Sequence, residues 1–284
     1  MRVPRGQPGV PVTALDCPSY GGALYDLAVD VLGGNSHQWS EAFPWLARTN
    51  QSRTLRRLLE EAETVHRRSA DRLRALGRAD LAQRADKFAA WVRFDLDEPL
   101  AARRLYTVTR DLREAPRLGS LFGKALDGAL SLAGADRGNI QILDPATGSL
   151  RIAAQRGFGA EFLDYFAAVD DDRSACGRAA RERAQTVIAD VDADESFAPH
   201  RDIAAASGFR AVQSTPLIDQ AGRLLGVVST HYPRPYSPSA LDLQLLRRYG
   251  DLVGQAMGHH LIPSPRHRDG RLLTPAVEGP PPLV

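Results

Sequence analysis

GFRAVQSTPLIDQAGRLLGVVSTHYPRPYSP, residues 208–238, holds two apolar runs, RAVQSTPLI (210–218) and RLLGVVSTHY (223–232), parted by the turn Asp219–Gly222. Bounded runs of this length, rich in Val, Thr and Ile, predict two strands joined by a tight turn. Gly222 suits the turn, where a positive φ is tolerated only by a residue lacking Cβ. Gly226 stands inside the second strand, where glycine permits close backbone approach or a bulge. Pro216 has no N–H, so its part of the first strand must be an edge, a bulge or a strand end. The proline-rich step then leads into a long helix over 238–258, with Leu241, Leu245, Leu246, Tyr249, Leu252, Val253 and Ala256 at helical spacing.

Working back from this hairpin, GNIQILD (138–144) alternates apolar and polar residues as a half-buried strand does, DPATG (144–148) is a turn, and SLRIAAQ (149–155) is the returning strand. An amphipathic helix over 118–133 precedes them. AEFLDYF (160–166) and SACGRAARER (174–183) read as helices, AQTVIADV (184–191) as a strand, and SFAPHRDIAAASG (196–208) as a loop and helix stopped by Gly208. The expectation is an α+β fold: one central antiparallel sheet of 138–144, 149–155, 185–191, 210–218 and 223–231, flanked by helices.

Residues 23–115 read as helical, with segments at 23–33, 52–76, 79–95 and 100–113. Leu55, Leu58, Leu59, Ala62 and Val65 mark one helix face, and the arginines around them are offset by Glu60, Glu61, Glu63 and Asp71. The leader 1–22 and the proline-rich tail 261–284 are expected to be disordered, although PPPLV fits a polyproline-reading domain. Net charge is +2 from 36 basic and 34 acidic residues, which predicts no general attraction to nucleic acid or to anionic membrane. No run of 18 apolar residues exists to make a membrane-spanning helix. Two cysteines, Cys17 and Cys176, supply neither a disulfide framework nor a four-thiolate zinc site, and fit a reducing cytoplasm.

Four segments taken together, AQRGF (154–158), SACGRA (174–179), VIADVDADESF (187–197) and the hairpin above, resemble the GAF family over residues 117–260. That family is PAS-related. The resemblance implies a bacterial-type signalling protein: a small-molecule sensor, or a dimerisation and relay module, whose pocket lies between the sheet and the segments covering one face, here 157–181 and 190–210. The candidate ligand-binding residues are Phe158, Phe162, Cys176, Phe197, Arg210, Gln213 and Thr230, the aromatics supplying apolar area and Arg210 and Gln213 orienting a polar group. A homodimer through 118–133 or 238–258, and a signalling partner protein, are expected.

The chemistry-bearing residues favour regulation over catalysis. Cys176 opens a helix, where backbone N–H groups favour a thiolate and hence redox or nitrosothiol sensing, while cysteine is more commonly a buried small hydrophobe. The free methionine sulfoxide reductases built on a GAF fold use several cysteines, and this region has one. Gly177 follows Cys176 where one large bilin-binding class has histidine. His200 and His231 stand with Asp190, Asp192, Asp194 and Glu195 at no metal spacing, and DVDADE lacks the glycine and distal glutamate of a calcium loop, so a solvated loop is expected. His66 lacks the acidic residue that follows a kinase phosphoacceptor, and GSLFGKA (119–125) has the wrong length for a phosphate-binding loop. No metal or cofactor is assigned. The alternatives are a GAF-fold reductase and a pure dimerisation scaffold.

Overall fold

The computed structural model describes residues 51–112 and 115–261. The expected leader, the 23–33 helix and the tail from residue 262 lie outside them. The chain opens with a helical hairpin, α1 (Gln51–Ala75) and α2 (Ala79–Asp97), then α3 (Pro99–Thr109) tightened by a 3-10 turn to Leu112. Then follow α4 (Leu118–Ala133), β1 (Arg137–Leu143), β2 (Leu150–Arg156), α5 (Ala160–Tyr165), α6 (Ala175–Glu182), β3 (Thr186–Ile188), a 3-10 turn (Ala198–His200), α7 (Arg201–Ala206), β4 (Ala211–Ile218), β5 (Leu224–Tyr232) and α8 (Ala240–Leu261). The five strands form one fully antiparallel sheet in the order β2-β1-β5-β4-β3.

Three boundaries differ from expectation. The third helix stops at Thr109 instead of 113. β3 is three residues long instead of eight, because Val191 N–H and the Ala189 carbonyl pair with Arg210 and Tyr236 outside the ladder. α8 starts at Ala240, capped reciprocally by Ser239 and Asp242: the Asp242 amide donates to Ser239 Oγ at 3.2 Å, and the Ser239 amide to Asp242 Oδ2 at 3.1 Å. Pro216 has Val227 as its partner on β5, but the β3 ladder ends at Thr186–Ser214, so its missing N–H faces no strand.

Because side chains alternate across a strand, the register divides the sheet into two faces. Ile140, Leu217 and Val228 face α4 and α8, joining Leu105, Leu112, Leu121, Leu126, Leu245, Tyr249 and Met257 in the larger core. The opposite face carries Ile188, Val212 and Val227 under a cover of α5, α6, α7 and their loops, a second core rich in phenylalanine. Much of the apolar stripe of α8 packs within this chain: Leu245, Leu246, Tyr249, Val253 and Met257 are buried with Leu121, Phe122 and Leu126 of α4, whereas Leu241 is exposed. Among the described residues no helix is long and apolar enough to cross a membrane.

Candidate functional site

The covered face of the sheet is more polar than a core face needs to be. From β1 it presents Asn139 and Gln141, from β5 Ser229 and His231, from β4 Ser214, and from β3 Thr186, all buried. Ser214 and Ser229 satisfy each other across the ladder, hydroxyl to hydroxyl at 2.8 Å. The others do not: Asn139 Oδ1, both amide atoms of Gln141, Thr186 Oγ1 and His231 Nδ1 have no hydrogen-bond partner among the described residues. Each such atom costs about 1–3 kcal/mol relative to a satisfied one.

Aromatic rings roof this row. Phe158 and Phe162 stack with centroids 3.7 Å apart, and His231 meets Phe158 and Phe209 edge-on at 4.9 and 4.7 Å. Burial, helped by Arg137, holds the His231 imidazole down at about 3, so it is neutral across the physiological range. Phe197 completes the roof.

The roof is tied down by charge. Arg210 grips Asp190 with two contacts of 2.8 and 2.9 Å and reaches Asp192 at 3.1 Å. Arg178 holds Asp194 at 2.8 and 2.9 Å, and Asp194 also accepts the Phe197 amide at 2.9 Å. Arg201 donates to the Val191 and Asp194 carbonyls, both at 3.1 Å. Arg137 donates to the Gly157 and Gly208 carbonyls at 3.3 and 2.9 Å. The acidic loop DVDADE is thus a set of arginine clamps, and the hydrogen bonds from Arg210 and Arg178 hold Asp190 and Asp194 below the usual carboxylate range. His200 joins Tyr165, whose hydroxyl lies 3.0 Å from Nδ1, to Asp171, 3.5 Å from Nε2. Among the described residues no group of three or more His, Cys, Asp or Glu is arranged to hold a metal.

Of the seven candidate residues, Phe158, Phe162, Phe197 and Cys176 come together in the covered core. Thr230 does not: it shares the α4 side of the sheet with Tyr232, whose hydroxyl lies 3.4 Å away and donates to the Ala133 carbonyl. Gln213, paired with Thr230, points to that same side. Arg210 is spent on the acidic loop. Cys176 stands at its helix N-terminus as expected, but burial pushes the thiol up, and it donates weakly to Ser174 Oγ at 3.5 Å. Burial therefore opposes the helix dipole, and Cys176 sits as a buried small apolar side chain, the other reading of this residue. Asn139, Gln141, Thr186, Ser214 and Ser229 were missed, and their alternation within the strands was the available signal. Outside the roof, Asp172, Arg173, Arg178, Arg181, Glu182, Glu195 and Ser196 line an open cleft of about 560 Å³ that touches none of the polar row.

An antiparallel sheet with packing helices on one face and a partly polar face roofed by short helices and loops on the other defines an α+β domain of the GAF type. Residues 117–257 match the GAF domain family, and this part of the chain belongs to it. GAF domains are typical of sensor and signalling proteins and often bind small molecules. The fold is similar to the GAF domain of a phosphoenolpyruvate-protein phosphotransferase from Coxiella burnetii (15% identity, TM-score 0.50, covering 56% of this chain and 93% of that one). Also similar are a domain of a two-component sensor histidine kinase protein from Sinorhizobium meliloti (18% identity, TM-score 0.45, 54% and 99% covered) and the free methionine-R-sulfoxide reductase of Neisseria meningitidis (17%, TM-score 0.48, 57% and 90%). By sequence, no curated protein matches the chain.

Proposed function

We propose that the GAF domain is a regulatory, non-catalytic sensor that takes a small, uncharged, hydrogen-bonding ligand between the polar row and the aromatic roof. The observation carrying this reading is the set of buried, partnerless polar atoms on Asn139, Gln141, Thr186 and His231. An apolar floor would be more stable at no cost to the fold, and an occupant that completes these hydrogen bonds accounts for the polar one. The occupant is uncharged because the cations nearest the roof, Arg137, Arg178, Arg201 and Arg210, are already committed to carbonyls or carboxylates, and His231 is neutral. Its binding is relayed through β4 and α8 to flanking helices, and from there to a partner protein or a second copy, in the cytoplasm of a bacterium.

Gln141→Leu separates this from a merely tolerated defect. The variant is expected to melt higher than the wild type. It is also expected to lose any small molecule that native mass spectrometry finds retained, along with the stabilisation given by a panel of nucleobases and nicotinamide-like amides. A variant that melts higher while the wild type neither retains nor responds to any such compound would sink the ligand reading. Turnover of free methionine sulfoxide with a thiol reductant, lost in Cys176→Ser, would overturn the non-catalytic part.

A further inference from the structure

The hairpin of α1 and α2 is attached to the GAF domain in an unusual way. Among the described side chains of residues 51–97, only Phe94 enters the larger core, and none enters the second. Leu59, Ala70, Ala82, Ala85, Ala89, Val92 and Leu96 are buried outside both cores, and α1 packs on α2. What bridges α2 to α8 is a ladder of long polar side chains. Lys87, Trp91 and Asp95 recur every fourth residue on α2, and face Arg248 and Asp251 on α8. Arg248 makes a two-pronged pair with Asp95, one contact being 2.9 Å, and donates to the Trp91 carbonyl at 3.1 Å. Its guanidinium lies over the Trp91 and Phe94 rings at 5.6 and 5.2 Å. Lys87 pairs with Asp251 at the rim. The junction with α3 is a single non-helical residue, Glu98 (φ −126°, ψ 61°), followed by Pro99, whose missing N–H cuts the helical hydrogen-bond ladder.

We propose that the α1–α2 hairpin is a strap that lifts from α8 as a unit, swinging on the Glu98–Pro99 joint and latched by the Asp95–Arg248 and Lys87–Asp251 pairs. A permanent interface is built more stably from apolar groups, since a buried ion pair gives back in desolvation much of what it gains in attraction. Here Asp95 and Arg248 are 1% and 3% exposed, and burial pushes the carboxyl up and the guanidinium down, so closing the strap works against both charges. Lifting returns all four charges to water, which offsets part of the cost of uncovering Trp91 and Phe94. The device is regulatory because α8 also lies against β4, so a shift of the sheet reaches the latch through one rigid helix. This holds whatever the sheet binds.

Hydrogen exchange of the full chain tests it. Amides of 60–93 are expected to exchange through an opening that leaves β1 and β5 protected. Arg248→Met should speed that exchange at least about tenfold with the sheet unchanged, and Lys87→Gln by less. One common rate for hairpin and sheet, raised together by either variant, would overturn the proposal, as would hairpin exchange indifferent to both. Lys87 is 40% exposed, so its variant decides the matter if Arg248→Met does not fold.

Discussion

At the scale of single residues the sheet buries polar atoms without hydrogen-bond partners among the described residues, Asn139, Gln141 and His231 on the roofed face and Gln213 on the other. His231 is the most testable case. Its imidazole, ordinarily near 6.5, is held at about 3 by burial and by Arg137, so between those values the unfolded chain binds a proton that the folded chain refuses. The stability at stake is complete above the ordinary value and drains away as the pH falls toward the depressed one. Between about pH 6.5 and about pH 4.5 this one group removes about 2 kcal/mol. His231→Gln is expected to abolish that share, so urea denaturation of variant and wild type at the two pH values should show the smaller acid loss in the variant. Equal losses would mean that the imidazole titrates normally inside the fold. The neighbouring carboxylates, held low by their arginines, lose stability in the same direction, which is why the difference between the two proteins is the quantity to read.

At the scale of elements, the contact that places the sheet on its helices is made by Gly250, Gly254 and Gly258, spaced at i, i+4 and i+8 along α8. A Cβ on Gly250 would lie 2.7 Å from Thr215 Cγ2 and 2.8 Å from the Pro216 carbonyl, and one on Gly254 would collide with the backbone of Ile218. Backbone has no rotamer with which to yield, so Gly254→Ala is expected to cost about 2–3 kcal/mol. Gly123→Ala on α4 meets nothing within 4 Å, and should stabilise by about 0.5–1 kcal/mol through helix propensity. Thermal melts of the pair check both signs. The apolar period of α8 was legible from its leucines and Tyr249, and the helix was placed within a few residues. The glycine stripe among them carried as strong a spacing signal and was passed over, because it marks close approach to a strand whose position the helix alone does not reveal.

For the whole molecule, the boundary between the helical region and the GAF domain is not where the family match begins. Leu105 and Leu112, with Ala101, Ala102 and Ala115, belong to the larger core that α4 and α8 share, whereas residues 51–93 do not. A chain beginning at Pro99 gives up one side chain of that core, Phe94, and is expected to melt below the full chain, by less than a chain beginning at residue 117 does. One beginning at residue 117 loses two fully buried leucines and should melt lower by about 5 °C or more, as each buried leucine carries about 2–5 kcal/mol. Calorimetry of the two truncations decides between this division and one in which the whole N-terminal region is dispensable or the whole of it required.

The order and kind of the elements from α1 to α8 were determined by the sequence alone, because turn chemistry and apolar period are local properties that survive without any partner. So was the aromatic roof, whose Phe158, Phe162 and Phe197 sit in segments flagged as cover. Only the tertiary structure decided which polar residues are wet. Asn139 and Gln141 alternate with Ile140 and Ile142 as the solvent side of a hairpin would, yet α5, α6 and α7 close over them. Gln213 and Thr230 are one residue out of phase with Ser214 and Ser229, and so stand on the other face. Likewise the apolar girdle of α8 reads from sequence as one stripe, and only the fold shows that α3, α4 and β4 cover most of it while Leu241 stays exposed. Periodicity tells that a strand or helix has two sides. What lies against each side is set by segments remote in the chain, and burial, hydrogen-bond satisfaction and the fate of each charge follow from that placement.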